Sequence, residues 1–244
     1  MDNLKTAADV FSRYTAMRAS NAIIQKKWHS TSEDGRQMAC ALGVIGGEVN
    51  SPVDCPATVM PRWLAQMVPW FFDGQKENDA FDWGERFYFE LARLNGDVPF
   101  SVIHDWHARF TTELAIEVAT KRNTDVASHK KLQKMHSSAH CGANFKKEEW
   151  KPVLAYAYAD ADAYAYADAD AYADADAYAD AYADAYAYAD AYAYADAYAD
   201  AYAYAYAYAY ADAYADAIKR LADGMVDCLK AVPSVGLASG KGDE

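Results

Sequence analysis

The sequence predicts an all-α fold in which a helical head is packed on, or joined to, an Ala/Tyr/Asp-rich helical bundle. Apolar residues recur at helical spacing through most of residues 3–122. Residues 155–217, called the tract below, carry Ala at every odd position and Tyr or Asp at every even position. No Gly or Pro interrupts the chain between Pro152 and Gly224. Because strands seldom exceed about ten residues, a segment of this length favours helices.

Apolar periodicity and turn residues divide the head into elements. Its first half predicts a helix over residues 3–28, a polar turn at 30–35, a short buried helix at 38–49 and a Pro-rich connector at 51–61. Its second half predicts helices over 62–74, kinked or ended near Pro69, over 79–95, stopped by Asn95-Gly96, and over 100–122. A basic, polar segment then runs to Trp150, and Pro152 is placed in the first turn of a new helix. A last helix covers residues 218–232, and Pro233 marks its stop.

The strict alternation of the tract leaves two interpretations of its backbone. Period two is the strand pattern, but Ala is the best helix former, and both Ala and Asp are depleted in strands. The blocks also vary in length, whereas a β-solenoid needs a constant repeat. Helices are therefore favoured, and a β-rich stacked tract is the alternative. On a helix, each i, i+4 ridge would be all Ala or all Tyr/Asp, which suits packing of ridges into grooves.

Composition predicts three segments: a Trp-rich helical head at 1–150, a low-complexity helical region at 151–233 and a flexible tail at 234–244. The net charge is −13, and the tract holds 13 Asp with no Lys or Arg, so the whole net charge lies there. Such a field argues against direct nucleic-acid binding by the tract and suits a basic protein partner. The predicted binding residues are the tract carboxylates Asp160, Asp162, Asp168, Asp170, Asp174, Asp176, Asp180 and Asp184.

The chain shows no apolar leader and no long apolar, uncharged run. We therefore expect a cytoplasmic protein (in the host cytoplasm if a phage encodes it) without membrane contact. The four Cys are widely spaced, which predicts free thiols. A homo-oligomer is left open.

The best metal candidate is the sequence HSSAHC, with His136, His140 and Cys141. His at i and i+4 share a helical face, as zinc ligands do, but the Glu of the usual H-E-x-x-H motif is absent. A polar, solvated helix end is the favoured interpretation. His104 and His107 form a second pair, and Trp106 beside them favours packing. No metal or other cofactor is predicted.

Nucleophilic catalysis would need Cys40 or Cys55 with His29 or His104. No oxyanion loop accompanies these residues, and Cys40 lies in a predicted apolar helix, where inert thiols are usual. No catalytic residue is therefore predicted, although a Cys/His enzyme or metal protein in the head stays an alternative.

The basic segment before the tract could contact nucleic acid or could pair with the Asp-rich region of its own chain. Internal pairing is favoured because the tract is the nearest large negative field. The lysines concerned are Lys130, Lys131, Lys134, Lys146 and Lys147.

Several stretches resemble a group of uncharacterised phage and bacterial proteins: KWHS (27–30), CALGVIGGEVNSPVDCPATVMPRWLAQM (40–67), DG (73–74) and IKRLADGMVDCLKAVP (218–233). That group pairs a Cys-Pro-Ala…Met-Pro…Trp-Leu segment with an Ala-rich region similar to immunity-protein-like domains. The resemblance implies an all-α fold and a phage or prophage origin, and it implies no catalytic residues.

The expected function is that of a non-enzymatic, phage-type accessory protein. Its acidic helical surface would bind a host or phage protein, with antagonism of a host defence as one use. A mimic of DNA charge that inhibits a nucleic-acid-binding enzyme is the alternative, although the uneven Asp spacing fits a regular phosphate repeat poorly.

Overall fold

The computed structural model of the chain describes residues 1–154 and 211–234, with side chains in the second range described from residue 214. These residues are mostly helical and include a single two-stranded sheet, which confirms the predicted all-α class. Contacts group the chain into two compact units. We call Met1–Pro99 with Met225–Glu244 the N-terminal unit and Phe100–Gly224 the middle unit. The three segments predicted from composition stay a prediction.

The N-terminal unit contains three long helices and a hairpin: α1 (Ala7–Ala19), β1 (His29–Thr31), β2 (Gln37–Ala39), α2 (Arg62–Asp73) and α3 (Glu77–Arg93). Strands β1 and β2 are antiparallel, with His29 opposite Ala39. Helix α1 is capped at its N-terminus by Thr6, whose side chain accepts a hydrogen bond from the Asp9 backbone N–H. Helix α2 runs through Pro69 and α3 ends near Asn95-Gly96, so both predicted helices are confirmed.

Two predictions for this unit are wrong. The first helix ends at Ala19 instead of residue 28, because the chain beyond it pairs with β2: Ile24 N–H donates to the Ala39 carbonyl, and Ala39 N–H donates to the Ala22 carbonyl. The predicted helix at 38–49 is instead the end of β2 followed by a 3₁₀ turn, Gly43–Ile45. Most of its residues are buried, as expected, but local hydrogen bonds are limited to short turns, and Cys40 N–H donates to the distant Trp28 carbonyl.

Helices α1 and α3 pack closely because Gly84 of α3, which has no side chain, faces Tyr14 of α1. Tyr14 is fully buried, and its hydroxyl donates to the Phe81 carbonyl at 3.2 Å. A Cβ atom at Gly84 would lie 2.1 Å from that hydroxyl oxygen. The aromatic core continues around this contact, with Phe71, Phe72, Trp83, Phe87 and Tyr88 all buried.

The middle unit contains α4 (Ser101–Trp106), a π-helical turn (His107–Thr111), α5 (Thr112–Lys121), α6 (Ala127–His140) and the helical residues 147–154. The single helix predicted over 100–122 is interrupted by the π turn. There the hydroxyls of Thr111 and Thr112 both donate to the His107 carbonyl, at 3.1 and 2.8 Å. The Thr112 backbone N–H also donates to this carbonyl, which is the hydrogen bond of a π turn, and such turns are frequent at functional sites.

Helix α6 was missed by the sequence analysis, which treated residues 121–150 as a polar segment. Two of its four buried residues are histidines, His129 and His136, so counting only apolar residues hides its periodicity. Pro152 is also misplaced by the prediction. The helix that contains it begins at residue 147, so Pro152 lies beyond the first turn.

The last described helix, α7 (Ala211–Ala231), includes the final seven residues of the tract. Those seven residues are helical, as predicted. Its earlier part belongs to the middle unit, where Trp106 Nε1–H donates to the Leu221 carbonyl at 2.7 Å. Its later part belongs to the N-terminal unit, where the Arg93 guanidinium donates to the carbonyls of Leu229 and Val232, at 2.7 and 2.8 Å. The helix ends before Pro233, as predicted.

The other tract residues, 155–210, and residues 235–244 of the predicted tail lie outside the described part of the chain. The predicted ridge packing, the β alternative and the flexible tail are therefore not addressed by the structure. None of the described helices has the length and apolar character needed to cross a membrane.

Candidate functional site

Helix α6 combines a buried face of packing residues with an exposed face of lysines. His129, Leu132, Met135 and His136 are buried, and this i, i+3, i+4, i+7 spacing is that of one helical face. Lys130, Lys131 and Lys134 are exposed on the other side. The helix contains no Asp or Glu. The sequence therefore concentrates positive charge on the solvent side of α6, and we call these three lysines the basic face.

A histidine cluster, formed by His104, His107 and His136, lies beneath α6. The Nδ1 atoms of His104 and His136 are 3.0 Å apart, so one ring donates a hydrogen bond to the other. The ring centroids of His107 and His136 are 4.6 Å apart. Trp150 stacks on His104 with a centroid distance of 5.8 Å and an interplanar angle of 7°, and its ring lies 4.8 Å from that of His136. Two helices and the segment after α6 thus meet at this cluster.

The hydrogen bonds of His107 assign its tautomer. The Thr111 hydroxyl donates to the His107 carbonyl, so the Nδ1–H of His107 must donate to the Thr111 hydroxyl oxygen, 2.9 Å away. This leaves Nε2 as an unprotonated nitrogen, and it is buried without a hydrogen-bond partner. Burial, reinforced by the neighbouring histidines, holds the pKa of His107 well below its ordinary value.

Burial also lowers the pKa of His136 to about 3, and the neighbouring His104 adds to this effect. Desolvation disfavours the charged imidazolium, and no carboxylate is among the groups that shift its pKa. His107 and His136 are therefore neutral at physiological pH. They serve as packing and hydrogen-bonding groups that fix α6 against the π turn, and they are too weakly basic to accept a catalytic proton near pH 7.

The three predicted metal candidates are not brought together. His136 is buried in the histidine cluster, so the expected solvated helix end is wrong for this residue. His140 is exposed, and its Nδ1 lies 3.1 Å from the Ser101 carbonyl oxygen. Cys141 is exposed after the helix. Within residues 1–154 and 211–234, no group of three or more His, Cys, Asp or Glu side chains has the arrangement to hold a metal ion. The expected packing of His107 is confirmed.

The thiols proposed as nucleophiles are in environments that suppress the thiolate. Burial raises the pKa of Cys40, and burial raises the pKa of Cys55 to about 12. His29 is not available as a base through Nε2, because this nitrogen faces the carbonyl oxygens of Gly43 and Gly46 at 3.0 and 3.1 Å and must carry the proton. Cys40 follows β2 and is not in the predicted helix. All four cysteines are free, as predicted.

Many cations outside the basic face are paired with carboxylates. Arg18 contacts Asp82 and Glu85 in the N-terminal unit, and Arg93 contacts Glu90 at 2.6 Å. Further pairs are Arg109–Asp105, Lys121–Glu117, Lys219–Asp223 and Arg220–Glu117. In contrast, none of the three lysines of the basic face forms an ion pair with a described residue. The basic face therefore retains its charge.

A shallow groove of about 480 Å³ crosses the N-terminal unit beside Phe89, whose side chain is 51% exposed. Phe11 meets Phe89 edge to face at 5.6 Å between centroids. The charged residues along the groove are of both signs: Arg18, Asp82, Glu85, Arg86, Glu90, Asp227 and Lys230. The groove thus lacks the single-sign field of the basic face.

The eight predicted binding carboxylates, Asp160 to Asp184, lie outside the described residues. No protein-family model, curated protein or solved structure matches the chain. The functional proposal therefore depends on the charge distribution and on the geometry of the described units.

Sequence reasoning identified the lysines of the basic face and five of the six histidines but did not bring His104, His107 and His136 together. Its pairs were local, whereas the cluster joins side chains 32 positions apart in the chain, as for His104 and His136. The unusual number of His and Trp residues between 104 and 150 was the available signal.

Proposed function

We propose that the chain is a non-enzymatic, phage-type accessory protein that presents its acidic tract to a basic surface on a host or phage protein. The observation that carries the proposal is the segregation of charge. The tract has 13 Asp and no cation, while the net charge of the whole chain is −13. No cation within the tract is available to neutralise these carboxylates.

The described residues support a binding role more than a catalytic one. Burial raises the pKa of the Cys40 thiol and lowers the pKa of His136. Activated nucleophiles and bases require shifts in the opposite sense. A phage-type role is part of the proposal, and antagonism of a host defence protein is one use of such an acidic surface.

The test is affinity capture from host lysate with three folded baits. One is the wild-type chain. The second carries Asp→Asn at the eight positions Asp160, Asp162, Asp168, Asp170, Asp174, Asp176, Asp180 and Asp184. The third carries Asp→Glu at the same positions and is the matched control, because it retains every charge. Far-UV circular dichroism establishes that the baits have the same helix content.

We expect a partner that binds the wild-type and Glu baits, is lost from the Asn bait, and is released when salt shortens the Debye length from about 10 Å to about 3 Å. Capture of a nucleic-acid-binding protein that DNA displaces would favour the charge-mimic form of the proposal. Equal capture by the Asn and wild-type baits would refute the role of the tract charge.

A further inference from the structure

We propose that the basic face of α6 is a binding site for the Asp-rich tract of the same chain. The three lysines are close neighbours: Lys130 and Lys134 are spaced i, i+4, and Lys131 and Lys134 are spaced i, i+3. Side chains at these spacings lie side by side on a helix, and like charges there destabilise it. An anionic segment placed over the face removes this repulsion.

Buried contacts hold the residues that lead into the tract against α6, on the side of the helix opposite the lysines. Val153 and Leu154 form a hydrophobic cluster with Leu132 and Met135 of α6, and Phe145 and Trp150 pack against it. The residue after Leu154 is the first of the tract. The tract is therefore tethered at a point in contact with α6. Short tethers of this kind give effective concentrations in the millimolar range.

Charge complementarity identifies the occupant as a carboxylate segment of this chain and not as nucleic acid. The α6 helix carries three exposed lysines and no carboxylate, and the tract carries 13 Asp without a cation. A polyanion in solution is repelled by a chain with a net charge of −13 and must displace the tethered carboxylates. Each exposed Lys–Asp contact is weak, so binding depends on several contacts and is sensitive to salt.

The test is zero-length carbodiimide coupling of lysine amines to Asp carboxylates in the full chain at low salt, mapped by mass spectrometry. Equal amounts of ¹⁴N- and ¹⁵N-labelled chains are mixed beforehand, so that links within one chain are distinguished from links between two. Lys131 is the reporter. The variant Lys130→Glu/Lys134→Glu retains it, and the control Lys5→Glu/Lys27→Glu makes the same charge change at exposed lysines in the N-terminal unit.

In the wild type we expect links from Lys131 to the tract within single chains. Their yield should fall roughly tenfold in the Lys130→Glu/Lys134→Glu variant and in high salt, and should be unchanged in the control. The salt arm uses the wild-type chain, so it tests the proposal even if the variant misfolds. Links found only between labelled and unlabelled chains, or equal yields in variant and control, would overturn it. So would binding of a single-stranded oligonucleotide that the wild type shows and the variant loses.

This internal site does not require an external partner, so a failed lysate capture leaves it standing. A consequence for regulation does depend on the proposed function: a partner must compete with α6 for the tract. If both proposals hold, Lys130→Glu/Lys134→Glu increases capture of the partner, whereas the Lys5→Glu/Lys27→Glu control leaves it unchanged.

Discussion

Acidification should destabilise the chain between about pH 6.5 and pH 5, because two histidines are buried in neutral form. The pKa of His107 is held well below its ordinary value of 6.5, and that of His136 is lowered to about 3. The unfolded chain therefore binds protons that the folded chain does not. Stability is complete above the unfolded pKa and is lost progressively as the pH falls below it toward the folded pKa.

The expected loss of stability follows from the slope of the free energy of unfolding against pH. One pH unit corresponds to about 1.4 kcal/mol for each histidine that ionises only on unfolding. Between about pH 7 and pH 5.5 each of the two histidines should lower the free energy of unfolding by about 1.3 kcal/mol, and together by about 2.5 kcal/mol. This is a large part of the ~5–15 kcal/mol typical of domains. The lowered pKa values of Asp54 and Glu117 act in the same sense, but only below their ordinary values of 3.8 and 4.5.

The assay is urea unfolding at several pH values, followed by circular dichroism and by Trp fluorescence. In the His136→Gln variant the slope of the free energy of unfolding against pH should fall to about half, because one of the two titrating groups is gone. This holds whatever the stability of the variant at neutral pH. His140→Gln, the same substitution at an exposed position of the same helix, should leave the slope unchanged. A wild-type free energy of unfolding that is constant across this pH range, or an unchanged slope in His136→Gln, would refute the reasoning.

Three further predictions concern packing, capping and thiol reactivity. Gly84→Ala should lower the free energy of unfolding by about 1–3 kcal/mol in urea despite the higher helix propensity of Ala, because the new Cβ meets the Tyr14 ring; a more stable variant would contradict this contact. Arg93→Lys should lower the free energy of unfolding by about 1–3 kcal/mol and speed hydrogen exchange at the end of α7, because an ammonium group cannot reach Glu90 and two helix-end carbonyls at once. Wild-type stability in this variant would be evidence against that role. Iodoacetamide should label Cys141 quickly and Cys40, Cys55 and Cys228 slowly in the native chain, as followed by intact mass; rapid labelling of two or more thiols would show that the burial argument is wrong.

The helices that the sequence predicted correctly are those with local signals. Helix α3 was identified from apolar spacing and the Asn95-Gly96 stop, and in the structure both stop residues have positive φ angles, 54° and 75°. Helix α2 has a continuous buried face that periodicity also reveals. In these elements the information that determines the backbone lies within the element itself.

The errors occur where distant contacts override local preference. Residues 20–28 continue a helical pattern, but their backbone pairs with β2, and this competing partner cannot be seen from the segment alone. Helix α6 was overlooked for a different reason. His136 packs against rings from α4 and the π turn, so it behaves as a packing residue only in the folded unit. The same long-range contacts create the histidine cluster, which local spacing placed in separate pairs.

The neutral state of His136 and the charge of the basic face are linked through α6. If His136 were protonated, the helix would carry positive charge on its buried side as well as on Lys130 and Lys134. Desolvation prevents this, so the charge of α6 is confined to the side that faces solvent. The buried side determines the orientation of the helix, and the exposed side determines what it attracts. Trp150, Val153 and Leu154 pack on Leu132 and Met135 of the buried side, and in the sequence the acidic tract follows Leu154 directly.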